Sequence, residues 1–201
     1  DGISARPLPT LQPITRPPQI AVLKFEPLVA QPLYLIDASV FVFRAWHSVP
    51  IELVDPDGNA VNALHGFSRF LGDLIERVRP EHIAVAFDAS LVTSFRNRLY
   101  PAYKANREPA PIDLKRQFLQ CQRVCAGLGI ASFVSSEYEA DDIIGTLATR
   151  AREAGRKVVL VTRDKDLSQL VRPGDEYWDY LGDERYGYDD IRVAHEQDLV
   201  L

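Results

Sequence analysis

Short apolar runs and longer amphipathic stretches alternate along the chain from residue 33 onward. The short runs have the length and composition of buried strands: LYLID (33–37), HIAVAFD (82–88), IASFV (130–134), KVVLVT (157–162) and EYWDY (176–180). The longer stretches repeat apolar residues at helical spacing and predict helices over 62–78, 112–128 and 139–154. Alternating strands and helices predict an α/β fold, with a mostly parallel twisted sheet and helices on both faces.

Residues 1–32 differ from the rest of the chain. They hold seven of its 14 prolines and show no sustained apolar period. We therefore predict a proline-rich N-terminal arm, extended or disordered, followed by one domain over residues 33–201. The arm lacks the basic and apolar regions of a secretory signal, and no apolar run has the length needed to span a bilayer.

Composition narrows the function only slightly. The net charge of −5 argues against a surface that binds nucleic acid all over, but it allows a local basic patch. The two cysteines, Cys121 and Cys125, lie four apart on a predicted helix, where a disulfide is awkward. We interpret them as buried free thiols in a reducing compartment and expect a cytoplasmic protein.

Acidic residues follow four of the predicted strands. They are Asp37, Asp88, Glu139, Asp141, Asp142, Asp164 and Asp166. In a parallel sheet the carboxyl ends of the strands meet at one edge, where ligands bind. Clustered carboxylates without cysteine or well-spaced histidine suit hard cations, Mg²⁺ or Mn²⁺, and two such ions can activate water and stabilise a leaving oxygen.

Helix capping is the alternative interpretation of these carboxylates. A single Asp after a strand is commonly the N-cap of the next helix, as Asp37 and Asp166 could be. In EYEADD (137–142), Ser136 and Glu139 also fit a capping box. Capping can explain any one of these residues, but it does not readily explain why carboxylates occur at all four strand ends.

A basic segment connects the second strand to the helix at 112–128. Its middle, FRNRLYPAYKANR (95–107), contains no acidic residue. The basic residues are Arg96, Arg98, Lys104 and Arg107, and the interleaved aromatic residues are Phe95, Tyr100 and Tyr103. This combination suits a single nucleic-acid strand, with phosphates paired and bases stacked, although a solvated surface loop has the same composition. Arg44 can reach the same cleft or pair with a structural acid.

Six motifs together resemble the 5′-nuclease family. They are LIDASVFVFRAWHSVP, AVNALHGFSRFL, VAFDAS, SFRNRLYPAYKANR, YEADDIIGTLA and TRDKDLSQL. The family includes the N-terminal nuclease domain of bacterial DNA polymerase I, phage 5′-exonucleases and flap endonucleases. The resemblance implies a PIN-like α/β nuclease domain that hydrolyses phosphodiesters near DNA 5′ ends or flaps with two Mg²⁺ or Mn²⁺ ions.

The resemblance also implies roles for individual residues. Ligands of the first metal are Asp37, Asp88, Glu139 and Asp141, and neighbours of the second are Asp142, Asp164 and Asp166. Lys104 and Arg44 match basic residues near the scissile phosphate. Contacts to single-stranded DNA are expected from Arg96, Arg98, Tyr103, Lys104 and Arg107.

The sequence departs from the family pattern at its C-terminal end. Family members continue into a helix–three-turn–helix segment that grips duplex DNA and supplies aspartates to the second metal. The chain given ends at AHEQDLVL, so we expect this segment to be absent and the second metal to bind weakly. Two rival functions remain: a non-catalytic binder of DNA 5′ ends or flaps, and a phosphatase for small phosphate esters. The oligomeric state is left open.

Overall fold

The computed structural model describes residues 31–89, 94–106 and 108–198, with side chains as far as residue 194. Most of the predicted arm, residues 1–30, lies outside this range, and so does Arg107. None of the described helices is long and apolar enough to cross a membrane.

Six strands form one sheet in the described chain, in the order β3-β2-β1-β4-β5-β6. Their bounds are β1 Leu33–Asp37, β2 His82–Asp88, β3 Ala131–Ser135, β4 Val158–Val161, β5 Glu176–Asp179 and β6 Glu184–Gly187. All neighbouring pairs are parallel except β5 and β6, which form an antiparallel pair at the edge. The carboxyl ends of β1 to β4 therefore meet at one edge of the sheet, as predicted.

Helices cover both faces of this sheet. Their bounds are α1 Ala38–Ser48, α2 Asn62–Val78, α3 Phe95–Leu99, α4 Ile112–Gly127, α5 Ala140–Glu153 and α6 Tyr188–Asp198, with a 3₁₀ helix at Lys165–Leu170. Successive strand residues point to opposite faces. Ile36 packs with α1, α2 and α4, whereas Leu35 packs with α5 and the 3₁₀ helix. The predicted α/β class is confirmed.

Close packing fixes α1, which follows directly on the end of β1. A Cβ atom added to Gly66 of α2 would overlap Ala45 Cβ, so only glycine allows this approach. The buried Gln117 ties α4 to the same unit, because it donates to Asn62 Oδ1 (3.1 Å) and accepts from the Leu64 N–H (3.0 Å). The wall of the candidate site formed by α1 and α4 is thus held by packing and by buried hydrogen bonds.

The strands and helices predicted from the sequence are present, with ends shifted by one or two residues. The prediction assigned no element to residues 38–48, to Phe95–Leu99 or to the C-terminal part after β5, where the structure has α1, α3, β6 and α6. Cys121 and Cys125 are buried free thiols, as predicted. Burial raises the pKa of the Cys121 thiol to about 12.

Candidate active site

A cavity of about 910 Å³ opens at the carboxyl edge of the sheet. Five of the seven predicted carboxylates line it, one or more from each of the four strand ends: Asp37, Asp88, Glu139, Asp141 and Asp164. Asp142 and Asp166 are not among its lining residues, and Asp166 is exposed. The cavity thus lies at the carboxyl ends of the strands, as predicted, although two of the seven predicted carboxylates do not line it.

Asp37 lies at the centre of this edge and is only 4% exposed. Its carboxylate caps α1 by accepting from the Ser39 N–H (3.1 Å), and it also accepts from Thr162 Oγ1 (3.1 Å). The capping interpretation is thus correct for Asp37, yet capping leaves the charge buried. Burial, followed by repulsion from Asp88 and Asp141, raises the pKa of Asp37 to about 7.

Asp88 joins three elements at the same edge. It accepts from Ser39 Oγ of α1 (2.7 Å) and from the Ala140 N–H at the start of α5 (2.8 Å). Asp141, one residue into α5, faces the cavity. Burial and repulsion from Asp164, Asp88 and Glu139 raise the pKa of Asp141 to about 6. A raised carboxyl pKa means that negative charge at this edge is insufficiently compensated by the groups around it.

The capping box predicted for EYEADD is wrong in detail. Glu139, not Ser136, is the N-cap of α5, and Asp142 accepts from the Glu139 N–H (3.0 Å). The Asp142 carboxylate also binds the Arg96 guanidinium, with Arg96 Nη2 2.7 Å from Asp142 Oδ1. This hydrogen bond holds the pKa of Asp142 below its usual range. Asp142 is therefore engaged outside the cavity.

Glu139 is 6% exposed, and its two carboxylate oxygens have different surroundings. Lys104 Nζ (2.7 Å) and the Tyr103 hydroxyl (3.2 Å) both donate to Oε2. Oε1 is buried, and no hydrogen-bond partner is found for it in the described protein. A buried acceptor without a donor is costly, and a ligand can relieve that cost.

Every basic side chain of the segment from Phe95 to Asn106 is paired with the acidic cluster. Besides the Arg96 and Lys104 pairs, Arg98 Nη1 lies 2.7 Å from Glu137 Oε1. The Phe95 N–H donates to the Glu137 carbonyl (2.9 Å), which fixes the start of the segment beside the cluster. The prediction that a basic segment meets the acidic edge agrees with these contacts.

Arg44 is not placed in the cavity. It is exposed on α1 and lines a separate pocket of about 100 Å³ beside Phe41, Phe70 and Leu181. The neighbouring Phe43 lines the acidic cavity instead, where its ring meets Phe118 of α4 edge-on, with centroids 5.4 Å apart. Neither aromatic residue is among those predicted from the sequence. The available signal was helical spacing, since Phe43 lies three residues after Val40, which also lines the cavity.

The chemistry of this donor set fits a hard divalent cation. The donors are carboxylate oxygens, two of them have raised pKa values, and one buried oxygen lacks a partner. In the part of the chain that the structure describes, no three His, Cys, Asp or Glu side chains form a ready metal-binding group. Ser39, the Ala140 N–H and Lys104 occupy carboxylate oxygens that a cation would use.

A family model described as the 5′-3′ exonuclease, N-terminal resolvase-like domain matches residues 32–197. DNA polymerase I of Rhizobium leguminosarum is 39% identical over 166 residues, which are 79% of this chain and 16% of that protein. DNA polymerase I of Mycobacterium leprae is 41% identical over 140 residues, 69% of this chain and 15% of that protein. The chain thus spans about a sixth of the length of these relatives.

Solved structures of a bacteriophage T5 nuclease share the fold. The T5 protein co-crystallised with metal ions superposes with a TM-score of 0.61 at 18% identity, covering 83% of this chain and 61% of that one. The T5 5′-exonuclease with bound zinc gives the same values. The T5 flap endonuclease, in a pseudo-enzyme-product complex with DNA and metal ions, gives a TM-score of 0.59.

Proposed function

The chain belongs to the 5′-3′ exonuclease family, N-terminal resolvase-like domain, and on this premise we propose that it cleaves DNA phosphodiesters near 5′ ends or flaps with Mg²⁺ or Mn²⁺. One observation carries the proposal: five carboxylates and the paired Lys104 line the same cavity. A site that only bound DNA would not gather this much negative charge where phosphates must approach. The T5 complex with DNA and metal ions supports the same substrate class.

Asp37, Asp88, Glu139 and Asp141 would hold the first ion, since all four line the cavity. Bound cations would supply the charge that lowers the pKa of water and offsets negative charge on the leaving oxygen. A second ion has fewer candidates, because Asp164 faces the cavity whereas Asp142 and Asp166 do not. We therefore propose one tight site and one weak site for Mn²⁺ in this chain.

Other residues that line the cavity suit the phosphate and the base of a nucleotide. Lys104 and Tyr103 stand at the acidic end, where a phosphate would lie close to the ammonium. Phe43, Phe118 and Leu119 form an apolar wall on which a nucleobase could stack. Arg96 and Arg98 lie outside the cavity, and with Arg107 they remain predicted contacts for the strand that leads into it.

The cavity also bears on the two rival functions. Its volume of about 910 Å³ is at the upper end of ligand-binding cavities, and a small phosphate ester would leave most of it unfilled. A non-catalytic binder would be expected to favour basic residues over the five carboxylates. The volume of the cavity and its five carboxylates both favour a nuclease that accepts a polynucleotide.

A cleavage assay separates the three functions. The substrates are a 5′-labelled single strand, a 5′-labelled flap and a chromogenic phosphate ester, each with Mn²⁺, with Mg²⁺ or with EDTA. We expect metal-dependent cleavage of both DNA substrates, faster with Mn²⁺, and no turnover of the ester. DNA binding without cleavage would support the binder, and turnover of the ester alone would support the phosphatase.

A further inference from the structure

We propose that Lys104 is an internal counter-ion of the metal-free protein, which holds Glu139 until a divalent cation binds that carboxylate and releases the lysine. The inference rests on the proposed metal site and concerns how this chain prepares it. Once released, the ammonium becomes available to a substrate phosphate. Metal binding is therefore coupled to the conformation of the basic segment at residues 94–106.

The pair between Lys104 and Glu139 is well shielded from water. Its side chains are 21% and 8% exposed, and the two charged atoms are 2.7 Å apart. In contrast, the side chains of the Arg98–Glu137 pair are 66% and 46% exposed. A shielded ion pair is screened less by salt than an exposed one. Lys104 therefore shields Oε2 of Glu139 more than a surface pair would, whereas Oε1 has no partner in the described protein.

Lys104 and a divalent cation compete for the Glu139 carboxylate. A lysine ammonium is positively charged at neutral pH. A second cation at Glu139 Oε2, which lies 2.7 Å from Lys104 Nζ, would therefore repel it. A cation that binds Glu139 must either displace Lys104 or bind more weakly beside it.

The backbone shows that the segment is held in place rather than relaxed. Lys104 has φ +53°, a left-handed conformation that a lysine seldom adopts. Asn97 Nδ2 donates to the carbonyl of the preceding Tyr103 (2.8 Å), and the Glu139 pair holds the side chain on the other side. Release of the side chain removes one of the restraints that keep this strained turn.

The energetic coupling must be reciprocal. If the cation weakens the contact between Lys104 and Glu139, then that contact weakens cation binding by the same factor. Removal of the lysine should therefore tighten metal binding. This is the opposite of the loss usually expected when a basic residue is removed from a catalytic centre. This opposite sign makes the proposal testable without measuring activity.

Calorimetric titration with Mn²⁺ at pH 8 measures the coupling directly. We expect Lys104→Ala to bind Mn²⁺ about tenfold more tightly, the factor typical of losing one charged hydrogen bond. Lys104→Arg retains the positive charge and should bind about as the unsubstituted protein does. Arg98→Ala removes a cation from the same segment but leaves Glu139 untouched, so its Mn²⁺ affinity should not change.

Amide hydrogen exchange gives the second readout. The Tyr103 and Ala105 N–H groups bond to the carbonyls of Tyr100 (2.9 Å) and Ala102 (3.2 Å), so they report the turn. Mn²⁺ should speed their exchange in the unsubstituted protein and have no further effect in Lys104→Ala. Affinity that is unchanged or weaker in Lys104→Ala would overturn this inference alone. Absence of Mn²⁺ binding from every variant would overturn the proposed metal site as well.

Discussion

Asp37→Asn should stabilise the metal-free protein, although Asp37 is buried at the end of the central strand β1. The side chain accepts hydrogen bonds from the Ser39 N–H and from Thr162 Oγ1. Asparagine has nearly the same shape and keeps an oxygen acceptor for the Ser39 N–H. The substitution therefore removes the charge while it preserves the cap of α1 and the packing around it.

The size of the effect follows from the pKa of Asp37, which burial and the neighbouring carboxylates raise to about 7. A raised carboxyl pKa means that the folded state holds the proton more tightly than the unfolded state does. The ionised carboxylate thus lowers stability above pH 7, and the loss diminishes as the pH falls towards 4. The linkage relation gives at most about 4 kcal/mol at pH 8 and about 1.5 kcal/mol at pH 5.

Urea denaturation in EDTA at pH 5 and pH 8 tests this reasoning. The free energy of unfolding of Asp37→Asn should exceed that of the unsubstituted protein, by about 2.5 kcal/mol more at pH 8 than at pH 5. Mn²⁺ should reverse the order, because the variant lacks one of the proposed metal ligands. Asp166→Asn, at an exposed position outside the cavity, is the matched control and should change nothing in EDTA. A variant that is less stable than the unsubstituted protein at pH 8 would refute the argument.

Three further substitutions test packing and substrate contact. Gly66→Ala should lower the free energy of unfolding, measured by urea denaturation, by about 1–3 kcal/mol because its Cβ would overlap Ala45. Gly72→Ala has open space around it and should not destabilise the protein. Arg96→Ala should weaken the binding of a DNA single strand, measured by fluorescence anisotropy. It should also reduce the slope of the logarithm of the binding constant against the logarithm of the salt concentration by about 0.7. An unchanged slope would contradict a phosphate contact. Phe43→Ala should weaken the same binding by about 1–3 kcal/mol with the slope unchanged, as expected for a lost stacking contact, and equal affinity would rule that contact out.

The sequence predicted the sheet well because its signals are local. Each buried strand is a short apolar run, and parallel topology follows from the alternation with helices. Helix α1 was missed because the face it turns to the cavity carries the apolar Val40 and Phe43, so SVFVFRAW lacks a clear polar face. Strand β6, ERYG, was missed because it is short, polar and exposed, and only its pairing with β5 defines it.

The candidate site was predictable to the extent that strand ends and helical angles determine it. Asp141 and Asp142 lie about 100° apart on α5, so one faces the cavity and the other Arg96. The same one-residue step separates Phe43, which lines the cavity, from Arg44, which does not. The pairing of Lys104 with Glu139 joins positions 35 residues apart, and no local pattern encodes the path of the segment between them.

A direct test of metal-dependent cleavage by these carboxylates compares the unsubstituted protein with Asp141→Asn on a 5′-labelled single strand in Mn²⁺. Asp141 lines the cavity, has its pKa raised to about 6 and has no counter-ion in its own helix placed to serve it. We expect the unsubstituted protein to release labelled product in Mn²⁺ and none in EDTA. Asp141→Asn should lose cleavage by at least about a hundredfold while still binding the strand. Equal cleavage by the two proteins, or cleavage that persists in EDTA, would contradict a metal-dependent nuclease built on these carboxylates.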